Sequence, residues 1–570
     1  MLVYRDGGRR AETHRVLADL RARAAAAVAG PDAAVSLLMA AGEFEAAAVD
    51  ARSPDTDAFD ELAAQLRGIT VAAARNWLSG GRDSRRVAAL LDRLDADALP
   101  GALSLRVAEG FAYYALYPET YALSAQRFAD ARTPALVSVL GIRSIGTSLS
   151  AVVVAALERR GCDVRSRTVR PRGHPFDRTL SLTPEFADAL RADAANGALF
   201  AVVDEGPGIS GSSFAGVVSC LERLGVDSSR IALFPSWDPE PARLKSDVAA
   251  RVWRDYPRYC ASASEAGITP ERAFGVETPS IDFSAGQWRR HVFASTDEWP
   301  AVQPQHERWK ALIPGTRQLL KFAGLGPYGE AAYARAAALA DEGLGVAPSG
   351  LRQGFIALPF VDGSPLRASG GHADAHAIGR YIGRVAAAFP AAERVDRDAL
   401  RAMVHRNLES LSARLPALDL PDDLPACAID GRMLAHEWIR SNGALVKVDA
   451  LDHHRDHFFP GVQSPAWDLA GAEIELSMDA GQVEAMLNAF ERASGERRAR
   501  EVLPFYRLAY AAFRYGYASL AADTLAGGQE AARFSAAATR YSQWALKAAA
   551  SLTAASKSPR KQIARSSMKT

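Results

Sequence analysis

Two adjacent carboxylates, Asp204 and Glu205, end an apolar run and are followed by small residues: Val202-Val-Asp-Glu-Gly-Pro-Gly-Ile-Ser-Gly-Ser-Ser-Phe214. A buried strand that ends in paired acids and then turns through Gly208, Ser210, Gly211, Ser212 and Ser213 into a helix is a pattern suited to phosphate. Glycines let a ligand approach the backbone, a helix start favours an anion, and serine hydroxyls add donors. The acids in front of that loop are placed to hold ribose hydroxyls, or a magnesium ion on the same ligand. An ordinary strand-to-helix turn with a serine N-cap is the plainer alternative.

This run resembles the signature of type I phosphoribosyltransferases, and two further segments fall in that family's order over roughly residues 105–260. Leu140-Gly-Ile-Arg-Ser-Ile-Gly-Thr-Ser-Leu149 resembles the pyrophosphate loop. There the resemblance implies that Arg143, with Ser144, Gly146, Thr147 and Ser148, meets a diphosphate, for which the guanidinium fork is suited. Arg165-Ser-Arg-Thr-Val-Arg-Pro-Arg-Gly-His-Pro-Phe-Asp-Arg178 carries five arginines and resembles the hood that closes over the substrate. Arg170, Arg172 and His174 would then stabilise the leaving diphosphate; a solvated basic loop is the alternative. Trp237, in Phe234-Pro-Ser-Trp-Asp238, is placed to stack on a base or to pack an interface. The loop before Ser210-Gly211 is one residue longer than the family pattern.

A second constellation lies in the last 260 residues or so. Gln318-Leu-Leu-Lys-Phe-Ala-Gly-Leu-Gly-Pro-Tyr-Gly-Glu330 sets a lysine in a strand pattern before a glycine turn, and Phe355-Ile-Ala-Leu-Pro-Phe-Val-Asp-Gly-Ser-Pro-Leu366 is an apolar strand running into a turn. These resemble the small lobe and hinge of aminoglycoside-phosphotransferase-like kinases. The resemblance implies a nucleotide site with Lys321 on the phosphates, Glu330 in the following helix, and Leu358 in the adenine-binding hinge. Leu445-Val-Lys-Val-Asp-Ala450 resembles the strand that delivers a magnesium-binding Asp449, and Asp468 in Ala466-Trp-Asp-Leu-Ala-Gly471 reads as structural. The family's His-Gly-Asp stands here as Ala435-His-Glu-Trp-Ile439, which leaves His436 and Glu437 as the candidates beside the reacting groups. Asp452-His-His-Arg-Asp-His457 offers imidazoles and carboxylates to a metal, or forms a polar loop near the cleft.

These residues require elements that hold them. Residues 12 to about 130 repeat apolar residues at three and four positions, the pattern of a helical layer. From about 134, short apolar runs (135–141, 199–204, 231–234) alternate with helical stretches, as in a parallel sheet covered by helices. The expected fold class is multidomain α/β and α+β: a helical N-terminal region (1–104), a Rossmann-like phosphoribosyltransferase domain (105–300), a bilobal kinase-like domain (301–548) and a basic disordered tail (549–570). At 570 residues and 48% hydrophobic, the chain suits several cores.

A net charge of +1 gives no broad basic or acidic footprint, so composition points to neither nucleic acid nor membrane as partner. RNA stays open through the arginine loop and tail. The four cysteines have no metal or disulfide spacing, and no signal peptide or 18-residue apolar run appears, so the expected location is cytoplasmic. The expected activity is phosphoribosyl transfer from phosphoribosyl pyrophosphate to a nitrogenous acceptor, or its reverse, with Mg²⁺ bound at Asp204, Glu205 and Asp449. ATP is the expected nucleotide of the second half, acting on a related nucleoside or sugar. The alternative is a catalytically weak nucleotide sensor in a stress or conflict system. A homodimer is compatible with either.

Overall fold

The computed structural model describes residues 1–556, apart from residues 6, 209, 368–370, 412–414, 416–418 and 526. Four parallel strands run in the order Asp163–Val169, Leu136–Ile142, Leu199–Val203, Ile231–Phe234. Their runs are nearly continuous in apolar residues because both faces are covered. On one face lie the helices Pro31–Arg52, Glu61–Leu78, Pro118–Arg132 and Ile145–Arg159, which share one core with Val137, Val139, Ala201 and Val203. On the other, Pro184–Ala195, Ser212–Arg223 and Asp247–Asp255 close over Leu140, Phe200, Val202 and Leu233. The alternating textures of the sequence therefore become a helix–sheet–helix sandwich. The basic stretch read as a loop is divided: residues up to Val169 form an edge strand, and Arg172–His174 pairs with Asp177–Thr179 as a short hairpin.

An antiparallel sheet follows, ordered Gly350–Arg352, Phe355–Pro359, Gln318–Phe322, Lys310–Ile313, Ile281–Asp282. Phe322 and Phe355 belong to the same core as the N-terminal helices, and the helix Pro327–Asp341 covers the sheet through Ala332 and Ala336, which pack on Ile356 and Leu358. Beyond the linking segment 360–363, helices His372–Ala388, Ala466–Glu475, Ala480–Ser494, Arg498–Thr524 and Gln529–Ser556 enclose a second large core. A small sheet (Ser364–Pro365, Trp438–Ser441, Ala444–Lys447) lies against it. The last helix continues to Ser556, into the stretch expected to be a tail; residues from 557 on lie outside the described ones. Among the described residues no helix is long and apolar enough to cross a membrane. All four cysteines are free thiols.

Candidate functional site

Between the antiparallel sheet and the helical part lies a cleft of about 520 Å³. Leu358 and the linking residues Val361 and Gly363 line one wall, and Ile439, Val448 and Asp449 line another. Lys321 enters from the central strand. Register places it opposite Lys310 on one side and Ile356 on the other, and its amine donates to Asp449 Oδ1 at 2.6 Å. Burial pushes the Asp449 carboxyl up, but Lys321, His453 and Lys447 outweigh that and hold it well below the usual range. Lys321 is correspondingly held in its charged form, with burial opposed by Asp449 and Asp452.

A second lysine completes the charge pattern. Lys447, at the end of the strand that leads to Asp449, donates to Glu437 Oε2 at 2.9 Å, to Asp430, and to the carbonyl of Asp449. Asp430 also accepts from the Tyr381 hydroxyl at 2.8 Å. Its backbone is pinned by Asp468, whose two oxygens accept from the Asp430 and Gly431 N–H groups at 2.9 Å each. Burial and the nearby Asp430 charge push the Asp468 carboxyl up to about 7. From the other side Arg335, buried in the helix Pro327–Asp341, donates to the carbonyls of Ala450 and Ile429. Both chain segments that carry the acids are thus fixed from behind the cleft.

Glu437, Asp449 and His453 bring one ligand atom each to within 4.8 Å of one another. Of the other residues of Asp452–His457, Asp456 lines the cleft and the rest turn elsewhere. Asp452 pairs with Arg308, His457 lies 2.7 Å from Asp456, and His454 is kept neutral by burial, its pKa pushed down to about 2. Of the motif's three imidazoles, one joins the acid cluster. His436 lines the cleft and stacks on Trp288 at 5.2 Å, with burial holding its pKa down. Glu330 is not brought to Lys321: it is exposed, because Gly329, Ala332 and Ala336 form the buried stripe of its helix. Asp430 and Lys447 were missed in the sequence. Asp430 stands seven positions before Glu437, outside the His-Glu segment that drew attention, although Ile429-Asp-Gly431 is itself an apolar-to-acid turn.

The first constellation is built differently. The Arg143 side chain is fully buried; its Nε donates to Asp50 at 2.7 Å, a second nitrogen to Asp57 and a third to the Thr168 carbonyl. Arg170 also pairs with Asp50, and Arg172 donates to Asp57 at 2.9 Å and to the Ser53 carbonyl. Gly146 sits against the strand end, where an added Cβ would lie 2.9 Å from the Val203 carbonyl. Thr147 is buried, and the Ser148 hydroxyl donates to the Leu38 carbonyl. Ser212 donates to the Pro175 carbonyl and lies 3.1 Å from Ser210; Ser213 is partly buried and Gly208 exposed. Gly211 has φ of 64° and packs on Ala249 and Leu244. His174 is exposed, and Trp237 is 47% exposed with its indole N–H on the Pro207 carbonyl. Burial pushes Asp204 up to about 7; burial, then Asp204 and Glu109, push Glu205 up to about 8. The recess lined by Ser144, Ser148 and Arg170 measures about 20 Å³, room for about one water.

No protein-family model matches the chain, and no curated protein does. Among solved structures, it is similar to a choline/ethanolamine kinase family protein from Mesorhizobium loti (16% identity, 48% of this chain and 93% of that one, TM-score 0.29). It is also similar to the choline kinase LicA from Streptococcus pneumoniae (14%, 42% and 90%, TM-score 0.28) and to an aminoglycoside-3'-phosphotransferase of type VIII (18%, 42% and 97%, TM-score 0.26). The expectation of phosphoribosyl transfer from phosphoribosyl pyrophosphate is corrected here. Arg143 and Arg170 are tied up by Asp50 and Asp57 beside a recess too small for a diphosphate.

Proposed function

We propose that the C-terminal half is a small-molecule phosphotransferase that takes a nucleoside triphosphate and Mg²⁺ in the cleft and passes the terminal phosphoryl group to a hydroxyl. The observation that carries this reading is the buried Lys321–Asp449 pair, joined by Glu437, on the wall of a cleft of about 520 Å³. The outer part of the cleft, with Leu319, Leu358, Ile439 and Val448, offers two apolar walls for a flat base. The inner end offers the charges. Glu437 and Asp449 are hard oxygen donors close enough to share one ion, which suits Mg²⁺. Bound there with the nucleotide, the ion would neutralise charge on the phosphate oxygens.

The chain's own residues account for the remainder. Lys321 is kept charged by Asp449 and can exchange that partner for phosphate oxygens. Lys447 is kept charged by Asp430 and Glu437 and orients Glu437 from behind. Because the transferring phosphoryl passes through a loose transition state, placement of charge weighs more than a strong base. That fits a site in which Asp430 serves to hold Lys447 while Asp468 holds the Gly431 turn.

The test is calorimetric titration of ATP with Mg²⁺ into the whole protein, repeated with Asp449→Asn and Lys321→Met. Binding in the micromolar range that weakens at least tenfold, by about 1.4 kcal/mol, in either variant is the expected result. A folded wild-type protein that takes up no ATP or GTP with Mg²⁺ rules the reading out.

A further inference from the structure

A second chamber, of about 570 Å³, opens beside the cleft and shares Leu434, His436 and Arg514 with it. Three helices meet at its inner wall, contributing Glu475, Arg514 and Arg540. The Glu475 carboxylate accepts from the Tyr510 hydroxyl at 2.9 Å, from Tyr541 at 2.8 Å and from Arg540 at 2.8 Å, and lies 3.2 Å from Arg514 Nε. Burial opposes its ionisation, but the two arginines outweigh burial and hold its pKa down. Glu475 is therefore a fixed anion.

Among the described residues, Glu475 is the one carboxylate that pairs with either arginine. Two guanidiniums share one negative charge, so this wall carries a surplus of one positive charge. The chamber's remaining acidic and basic lining residues, Glu298 and Arg367, are paired with each other at 3.0 Å and cancel. Arg514 turns its Nε to Glu475 and donates a second nitrogen to the Tyr541 hydroxyl at 3.1 Å, while the Arg540 side chain is 41% exposed. A forked cation held by packing at the end of a concave, partly apolar chamber favours a carboxylate or phosphate and disfavours a cation.

We propose that this chamber receives the acceptor of the phosphotransferase reading, on which the proposal rests. The acceptor is a hydroxyl-bearing anion, either a carboxylate or a phosphate monoester, docked on Arg514 and Arg540 with its hydroxyl toward the shared opening at His436. The acceptor oxygen forms its bond to the terminal phosphorus as the bond from that phosphorus to the bridging oxygen breaks. The electron pair leaves with the nucleoside diphosphate, and the hydroxyl proton passes to a phosphate oxygen.

The test is calorimetric titration of the whole protein with sn-glycerol 3-phosphate, D-glycerate, glycerol and choline, and separately with ATP and Mg²⁺. Binding of the phosphate ester, the carboxylate or both is expected, with glycerol and choline at least tenfold weaker, and the two anions tell the two sources apart. Arg540→Gln, at a half-exposed position, weakens the anion at least tenfold and changes ATP affinity less than twofold. Arg514→Lys keeps the charge, removes the fork and weakens the anion in the same sense, with circular dichroism confirming the fold. Preference for choline or glycerol, anion binding equal in wild type and Arg540→Gln, or ATP binding without anion binding would each overturn the proposal. Arg540-dependent anion binding in a protein that takes no nucleotide would instead uphold the anion site and remove the kinase reading.

Discussion

The Asp50–Asp57–Arg143–Arg170 cluster at the carboxyl ends of the parallel strands and the Lys321–Asp449–Glu437–Lys447 cluster in the C-terminal half are built from the same kinds of ions, yet they differ in what lies in front of them. The first borders a recess of about 20 Å³ and the second a cleft of about 520 Å³. In the first, helix Pro31–Arg52 brings Asp50 directly onto the arginines, and their forks are filled by protein carboxylates and carbonyls. In the second, the sheet and the helical part stand apart, so Lys321 and Asp449 pair across an open edge where a ligand can take over one partner, while Lys447 stays buried behind Glu437. Charge type alone does not distinguish structure from site; free volume beside the charge does.

Under the proposed function, the largest effect expected to separate the two halves is on nucleotide handling. Asp449→Asn is expected to abolish ATP-dependent phosphoryl transfer, by about 10³-fold or more as for lost charge stabilisation at a phosphoryl site. Asp204→Asn should leave transfer within about twofold, and radiolabel transfer from ATP to sn-glycerol 3-phosphate measures both. Equal losses in the two variants would erase the distinction.

Stability should show the reverse order. Arg143→Met leaves Asp57 buried without its principal partner, and loss of about 3–5 kcal/mol in denaturant unfolding is expected, as for other broken buried pairs. ATP affinity of the folded variant should hardly change.

A smaller effect follows from Asp204 and Glu205. Their native pKa values, about 7 and about 8, stand above the unfolded ones near 4, so the native state holds more protons across that interval. Their contribution is intact below about pH 4, and stability falls as pH rises through about 8. The doubly amidated variant, Asp204→Asn with Glu205→Gln, should flatten that slope in melts between pH 5 and 8. The smallest change expected is for Trp237→Ala, within about 0.5 kcal/mol in the same melts, because the indole is half exposed and tied by one hydrogen bond.

The elements were more legible than their relations. Leu136–Ile142, Leu199–Val203 and Ile231–Phe234 are strands within a residue or two of their apolar runs, since a strand buried on both faces has few other sequences available. Lys321 was legible as a lysine in a strand, and Asp449 as an acid after one. Glu330 came in with the resemblance of its segment, and the phase of its helix, which decides its direction, was not weighed. The stripe Gly329, Ala332, Ala336 and Leu339 turns Glu330 to solvent and Arg335 inward. The arginine-rich stretch was read as a hood over a diphosphate or a solvated loop because the acids that pair with it, Asp50, Asp57 and Asp193, are between 26 and 120 positions away.

By itself the sequence determined where strands and helices form and which residues carry charge at their ends, since periodicity, glycine turns and apolar runs act over a few neighbours. Only the tertiary structure decided which charges are cancelled and which face a cavity. Asp57 reaches Arg143 across 86 positions, Asp449 reaches Lys321 across 128, and Arg540 reaches Glu475 across 65. Such pairings are set by how layers pack, because a buried charge must find its partner wherever the chain brings one.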